Sequence, residues 1–209
     1  GACTKSASPV TRGRGAASAA PASYLHMDSK RTADFVQKEW NENVIPSLMD
    51  FVRIPNVSPA FDEEWDSNGF QMQAFDLVTK WAEAQKIPGC KIELLKDTGR
   101  TPLLVMEIEA HQSERACMLY AHIDKQPPMG VWMEGLGPYE PAVREGKLYG
   151  RGAVDDGYGF YCAITSIKAI KAQGLPWYAA APASTRKHPA SPSPPLTRLA
   201  TRRGAARAS

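Results

Sequence analysis

The sequence lacks acidic residues in both terminal segments. No aspartate or glutamate occurs in residues 1–26, and none follows Asp156. The formal net charge of +3 therefore arises from lysine and arginine in these segments, and the middle of the chain is acidic. An acidic middle favours a cation-binding enzyme over a protein that binds nucleic acid.

Two further features are missing. None of the four cysteines is spaced as a CxxC pair, and the sequence has no short disulfide framework. No apolar run approaches the roughly 20 residues that span a bilayer, so we expect no membrane partner. Cys117 and Cys162 lie in apolar runs, which predicts buried free thiols in a reducing, cytoplasmic compartment.

Composition divides the chain into three parts. Residues 1–26, rich in alanine, serine and arginine, predict a disordered leader, either a transit peptide or a non-native extension. Residues 27–178 predict one partial catalytic domain. Residues 179–209 predict a disordered basic tail rich in proline, alanine and arginine. Because the terminal segments lack interleaved aromatic residues and an amphipathic stripe, we expect no nucleic-acid or membrane binding from them.

The middle part alternates helical and strand patterns. Helical spacing predicts helices over residues 29–40, 45–53, 67–86 and 158–172. Apolar runs predict strands over residues 90–96, 102–110, 116–121 and 147–150. Near-continuous apolar strands are typical of a sheet covered on both faces. The pattern therefore predicts an α/β fold, a three-layer sandwich around a central, mostly parallel or mixed sheet.

Polar residues with potential chemistry follow the third apolar run. His122 and Asp124 are two positions apart, so in an extended chain both side chains leave the same face. A carboxylate beside an imidazole can accept its spare N–H and strengthen the ring as a metal ligand. His111 lies in a polar turn and is predicted to be a surface residue.

A second acidic pair, Asp155–Asp156, is enclosed by glycines and precedes the last helix. Glycines allow tight, positive-φ geometry and leave space beside the carboxylates. The helix dipole favours negative charge at this place. If these residues have only a structural role, the His122–Asp124 pair is a satisfied hydrogen bond and Asp155–Asp156 is a helix cap. If they have a function, they form a cation site.

The ordered combination resembles the zinc-dependent exopeptidase family of carnosinases, aminoacylases, glutamate carboxypeptidases and succinyl-diaminopimelate desuccinylase. The resemblance rests on His122-Ile-Asp124, on Trp132 in the following loop, and on Gly146-Lys-Leu-Tyr-Gly-Arg-Gly-Ala-Val-Asp155-Asp156. Lys125-Gln-Pro127 is similar to the dipeptidase-like branch. The resemblance covers roughly residues 27–177, the first part of the family's catalytic domain.

The resemblance implies roles for individual residues. His122 would bind one metal ion, Asp155 would bridge two, and Asp124 would be the catalytic residue that orients His122 from behind. The Asp155–Asp156 peptide bond is implied to be cis. The implied cofactor is a pair of zinc ions, with manganese or cobalt as alternatives. Small peptides or N-acyl amino acids are the implied substrates, and the full-length family suggests a homodimer.

The family's later motifs are missing. A Glu-Glu pair, which supplies a general base and a ligand, is expected beyond Asp155, but no glutamate follows Glu145. His188 lies in the proline-rich tail and is not assigned. Two functions are therefore weighed: a metal-dependent exopeptidase whose site is incomplete in this chain, and a catalytically inactive fragment or pseudoenzyme acting through protein binding.

Overall fold

The computed structural model describes residues 26–110, 116–177 and 179–180. His111, residues 1–25 of the predicted leader and the tail beyond residue 180 lie outside the described residues, so the predictions for them stay predictions. Within the described residues, no helix is long and apolar enough to cross a membrane.

Four helices form where helical spacing predicts them. They are α1 (Ser29–Glu39), α2 (Ile45–Arg53), α3 (Phe70–Ala84) and α4 (Tyr158–Ala172). A π-helical segment, Trp40–Val44, joins α1 to α2 without a break. The side chain of Asp28 caps α1 by accepting from the backbone N–H of Arg31. Pro46, which has no N–H to donate, stands in the first turn of α2, directly after the π-helical segment.

In the described part of the chain, six strands form two small sheets. The strands are β1 (Cys90–Leu95), β2 (Leu103–Ile108), β3 (Ala116–Cys117), β4 (Ala142–Arg144), β5 (Lys147–Tyr149) and β6 (Ala179–Ala180). The larger sheet has the order β1-β2-β6-β3 and is mixed, since β3 and β6 are parallel and the other pairs antiparallel. The α/β class is thus confirmed. Strand β6 of the larger sheet lies at the start of the predicted tail, residues 179–209.

The third predicted strand is much shorter than expected. Only Ala116–Cys117 forms a strand, and Cys117, predicted to be buried, is exposed. Met118, Leu119 and Tyr120 are exposed as well, Tyr120 by 80%. The physical reason is pairing: among the described residues, β3 pairs only with Ala179 and Ala180 of β6, and no described strand lies beside Met118, Leu119 and Tyr120.

The core lies between the helices and one face of the sheet. Trp81 of α3 packs edge-on against Tyr161 of α4, with ring centroids 4.6 Å apart. Strand β1 alternates between half-buried and exposed residues, so one of its faces is covered by the core. The core continues to Ile123, which is 9% exposed and stands between the two candidate site residues.

The turn before α4 depends on close backbone packing at Gly157. A Cβ added there would lie 2.4 Å from the carbonyl oxygen of Gly152 and 2.5 Å from the Phe51 ring. Because φ of Gly157 is −51°, the residue is glycine for lack of space and not for its backbone angle.

We expect Gly157→Ala to lower the free energy of unfolding by about 3 kcal/mol through overpacking. Gly99→Ala is the matched control: φ is +70° and no atom lies within 4 Å of the added Cβ, so only backbone strain of about 1 kcal/mol is expected. Urea unfolding of both variants measures the difference. Equal losses would contradict the packing argument.

Candidate active site

The candidate site begins with an extended segment that follows β3. Ile123 points into the core, so its neighbours His122 and Asp124 emerge on the opposite side. His122 Nδ1 lies 3.1 Å from Asp124 Oδ1 and 3.1 Å from the Asp124 carbonyl oxygen. Both partners are acceptors, so Nδ1 carries the proton and Nε2 faces away from Asp124.

The second part of the site is the turn Ala153–Gly157 at the start of α4. The Asp155–Asp156 peptide bond is cis, as the resemblance implied. His122 Nε2 lies 3.3 Å from Asp155 Oδ1. The structure therefore brings together the three predicted site residues, His122, Asp124 and Asp155, although 33 positions separate the first from the last in sequence.

Asp156 anchors the segment that carries the histidine. Its Oδ2 accepts a hydrogen bond from the backbone N–H of His122, at 3.3 Å. A Cβ on Gly159 would lie 2.7 Å from Asp156 Oδ1, so the glycine leaves room for this carboxylate in the first turn of α4. The paired acids thus face two different parts of the same histidine.

The surrounding charges change the basicity of His122. Burial lowers the pKa of its ring, but the hydrogen bond to the Asp124 carbonyl and the charges of Asp124, Asp155 and Asp156 outweigh burial. The pKa therefore lies above the usual value, and the imidazole is surrounded by groups that favour a positive charge at this position.

The donor set suits a divalent metal ion. Zinc binds histidine nitrogen and carboxylate oxygen at about 2.0–2.2 Å, which places two ligand atoms of a tetrahedral site about 3.3 Å apart. The distance of 3.3 Å between His122 Nε2 and Asp155 Oδ1 agrees with this spacing. In the part of the chain that the structure describes, no group of three or more potential ligands is assembled.

Sequence reasoning missed Asn56, which holds the segment from the other side. Asn56 is 1% exposed, and its Nδ2 donates to the carbonyl of Ile123 at 2.6 Å. Its backbone carbonyl accepts from the N–H of Lys125 at 3.0 Å. An asparagine after Pro55 reads as a loop residue, so the sequence offers no signal for this contact.

Sequence reasoning also missed the role of Lys125, which is 1% exposed. Its Nζ donates to the carbonyl oxygens of Phe51, at 2.6 Å, and Ile54, and lies 3.5 Å from that of Val52. These are carbonyls at the C-terminal end of α2, where the last carbonyls of a helix lack their usual i+4 donors. The Phe51 carbonyl also accepts from the backbone N–H of Ile54, at 3.1 Å. The signal in the sequence is a lysine that immediately follows the His-x-Asp motif.

Burial has the largest effect on the pKa of Lys125. The helix carbonyls and the Phe51 ring, 4.0 Å from Nζ, favour the ammonium form. Loss of hydration opposes it and lowers the pKa of Lys125 to about 7.

Comparison with known proteins agrees with the motif. Residues 118–178 match the model of peptidase family M20/M25/M40. An uncharacterized metallohydrolase of Methanocaldococcus jannaschii is 25% identical over 133 residues, covering 62% of this chain and 32% of that protein. The resemblance to this peptidase family, predicted from residues 122–156, is confirmed.

Two solved structures share the fold. The dipeptidase Dug1p of Saccharomyces cerevisiae superimposes with a TM-score of 0.54 and 17% identity, covering 73% of this chain and 33% of that one. Human carnosine dipeptidase 1 gives 0.52 and 21%, covering 70% and 31%. The chain therefore spans about a third of the length of these relatives.

The depressed pKa of Lys125 predicts a pH dependence of stability. Between its folded pKa of about 7 and the unfolded value near 10.5, the unfolded chain holds a proton that the folded chain lacks. The free energy of unfolding therefore rises with pH in that window, by about 1 kcal/mol per unit, and has no such slope below pH 7.

Urea unfolding of the wild type and Lys125→Met at pH 6 to 9.5 isolates this contribution, because the methionine does not titrate. We expect the stability difference, wild type minus variant, to be constant below pH 7 and to increase above it. A difference that stays flat to pH 9.5 would mean that Lys125 remains charged in the folded state.

Proposed function

We propose that this chain carries part of the metal site of an exopeptidase that hydrolyses peptide or amide bonds. The observation that carries the proposal is the 3.3 Å approach of His122 Nε2 to Asp155 Oδ1, with Asp124 on the opposite ring nitrogen. A merely structural pair would not require a carboxylate on both sides of one imidazole. The family match and the metallohydrolase relative support the same reaction class.

Each residue has a distinct role in this proposal. His122 Nε2 and an oxygen of Asp155 would hold a divalent ion, zinc first, with manganese or cobalt as alternatives. Asp124 accepts a hydrogen bond from Nδ1–H, which fixes the tautomer and makes the ring a stronger donor to the metal. Asp156 holds the main chain of His122. When bound, the metal supplies Lewis-acid polarisation of the scissile carbonyl and lowers the pKa of a water toward about 7.

Small peptides or N-acyl amino acids are the proposed substrates. The solved structures that share the fold are dipeptidases, which supports a short substrate. We propose that Asp155 also binds a second zinc ion in the complete site, since 58% of its side chain is exposed and remains accessible to another metal ion. A homodimer and a cytoplasmic location stay predictions.

The alternative is a catalytically inactive fragment or pseudoenzyme that acts through protein binding. Two observations favour it. The described residues assemble two candidate ligands, whereas zinc sites commonly use three or four. Residues 157–209 also contain no aspartate or glutamate that could serve as the general base.

Removing the histidine ligand tests the metal site. We expect His122→Ala to weaken Co²⁺ binding by more than about tenfold, because Nε2 is one of two protein donors. Asp124→Asn, which keeps both donors and weakens the support of Nδ1, should weaken binding by about tenfold. Visible absorbance of Co²⁺ during titration measures both. His26→Ala is the matched control and should leave the affinity unchanged; equal affinities in all four proteins would refute the site.

Hydrolysis assays separate the two functions. The purified chain is loaded with zinc, its metal content is determined, and release of amino acids from dipeptides and N-acyl amino acids is followed. Turnover that is lost in His122→Ala establishes the exopeptidase. Bound zinc without turnover, with wild type and His122→Ala equally inactive, establishes the inactive alternative.

A further inference from the structure

A single buried side chain contacts each of the segments that build the candidate site. Lys125 belongs to the segment of His122 and Asp124. Its Nζ reaches the end of α2, as described above. A methionine of similar shape would fill the same space without loss of hydration, so packing alone does not account for a buried amine.

The aliphatic part of Lys125 contacts the turn that leads to Asp155. A Cβ added to Gly152 would lie 2.6 Å from Lys125 Cε and 2.9 Å from Cγ. Gly152 has φ +84°, and its carbonyl accepts from the N–H of Gly157 at 3.0 Å, which closes the turn around Asp155 and Asp156. The position of this turn is therefore set against the lysine stem.

The main chain of Lys125 makes the third connection. Its N–H donates to the Asn56 carbonyl, and its own carbonyl accepts from the N–H of Ser58 at 2.8 Å. This bridge with the loop after α2 is isolated from both sheets. Because β3 ends at Cys117, no strand ladder holds residues 122–125.

We propose that Lys125 is a positioning residue that sets the separation of His122 and Asp155 and thereby the affinity of the site for a divalent metal ion. This inference rests on the proposed function. Lys125 does not touch the metal or the substrate in this proposal: it holds the His122 segment, the end of α2 and the Gly152 turn in one arrangement. Loss of its ammonium group would leave the carbonyls of Phe51 and Ile54 without this donor and free the two ligand-bearing segments to separate.

Another lysine of the chain provides a matched comparison. Lys171, in the last turn of α4, donates its Nζ to the carbonyl of Pro88 at 2.8 Å. It also satisfies a backbone carbonyl, but this hydrogen bond is exposed to solvent, and its acceptor Pro88 lies outside the His122 segment, the end of α2 and the Gly152 turn. Lys171→Met therefore removes a lysine–carbonyl bond without disturbing the candidate site.

The experiment compares the full chain with Lys125→Met, Lys171→Met and Val78→Ala, the last being a core truncation that controls for lost stability. Hydrogen exchange of the metal-free proteins is measured at the amides of Ser58, Lys125 and Gly157. Co²⁺ affinity is measured by absorbance titration. We expect Lys125→Met to speed exchange at these amides at least tenfold and to weaken Co²⁺ binding at least tenfold, while both controls change neither beyond their effect on global unfolding.

The outcomes separate this inference from the proposed function. Unchanged exchange and affinity in Lys125→Met overturn the positioning role, as does an affinity loss equal to that of a Val78→Ala protein of the same stability. If the wild type binds no Co²⁺, the proposed metal site fails, and the exchange data alone decide whether Lys125 holds the segments together. Should Lys125→Met not fold, Lys125→Gln, which keeps a shorter donor, is measured in the same way and is expected to give a smaller effect in the same direction.

Discussion

The candidate site depends on hydrogen bonds that replace a missing strand ladder. The segment of His122 to Lys125 follows the two-residue strand β3 and belongs to neither sheet. Its backbone groups are taken up instead by Asp156, which accepts from His122, and by Asn56, which donates to Ile123 and accepts from Lys125. Buried backbone groups without partners are costly, so these contacts decide where the imidazole stands.

Close backbone approach is the second constraint on the site. Gly150, Gly152 and Gly157 stand where an added Cβ would lie within 2.6 Å of Val52, Lys125 and the Gly152 carbonyl respectively. Side chains at these positions would push the turn away from α2 and from the histidine segment. The glycines therefore serve the same end as the polar contacts, because both keep Asp155 within reach of His122 Nε2.

Much of the site was predictable, because its chemistry is local in sequence. The spacing of His122 and Asp124 places both side chains on one face, and the glycines around Asp155 mark a tight turn. Helices α1 to α4 also follow from apolar periodicity. The length of β3 was not predictable. An apolar run shows only that a segment is suited to a buried strand, whereas the pairing of that strand depends on neighbours distant in sequence. The contacts of Asn56 and Lys125 could not be predicted for the same reason, because they join residues more than 60 positions apart.

The exposed apolar run and the two-donor site are linked through the position of β3. Met118, Leu119 and Tyr120 connect β3 to His122, and they are exposed because β3 pairs with only two residues of β6. In this chain, which spans about a third of its relatives' length, Asn56, Asp156 and Lys125 stabilise the approach to the histidine from the end of α2 and from the start of α4. Among the described residues, no strand pairs with residues 118–124. Within that part of the chain, the geometry of the two donors therefore arises from these contacts and not from a sheet ladder.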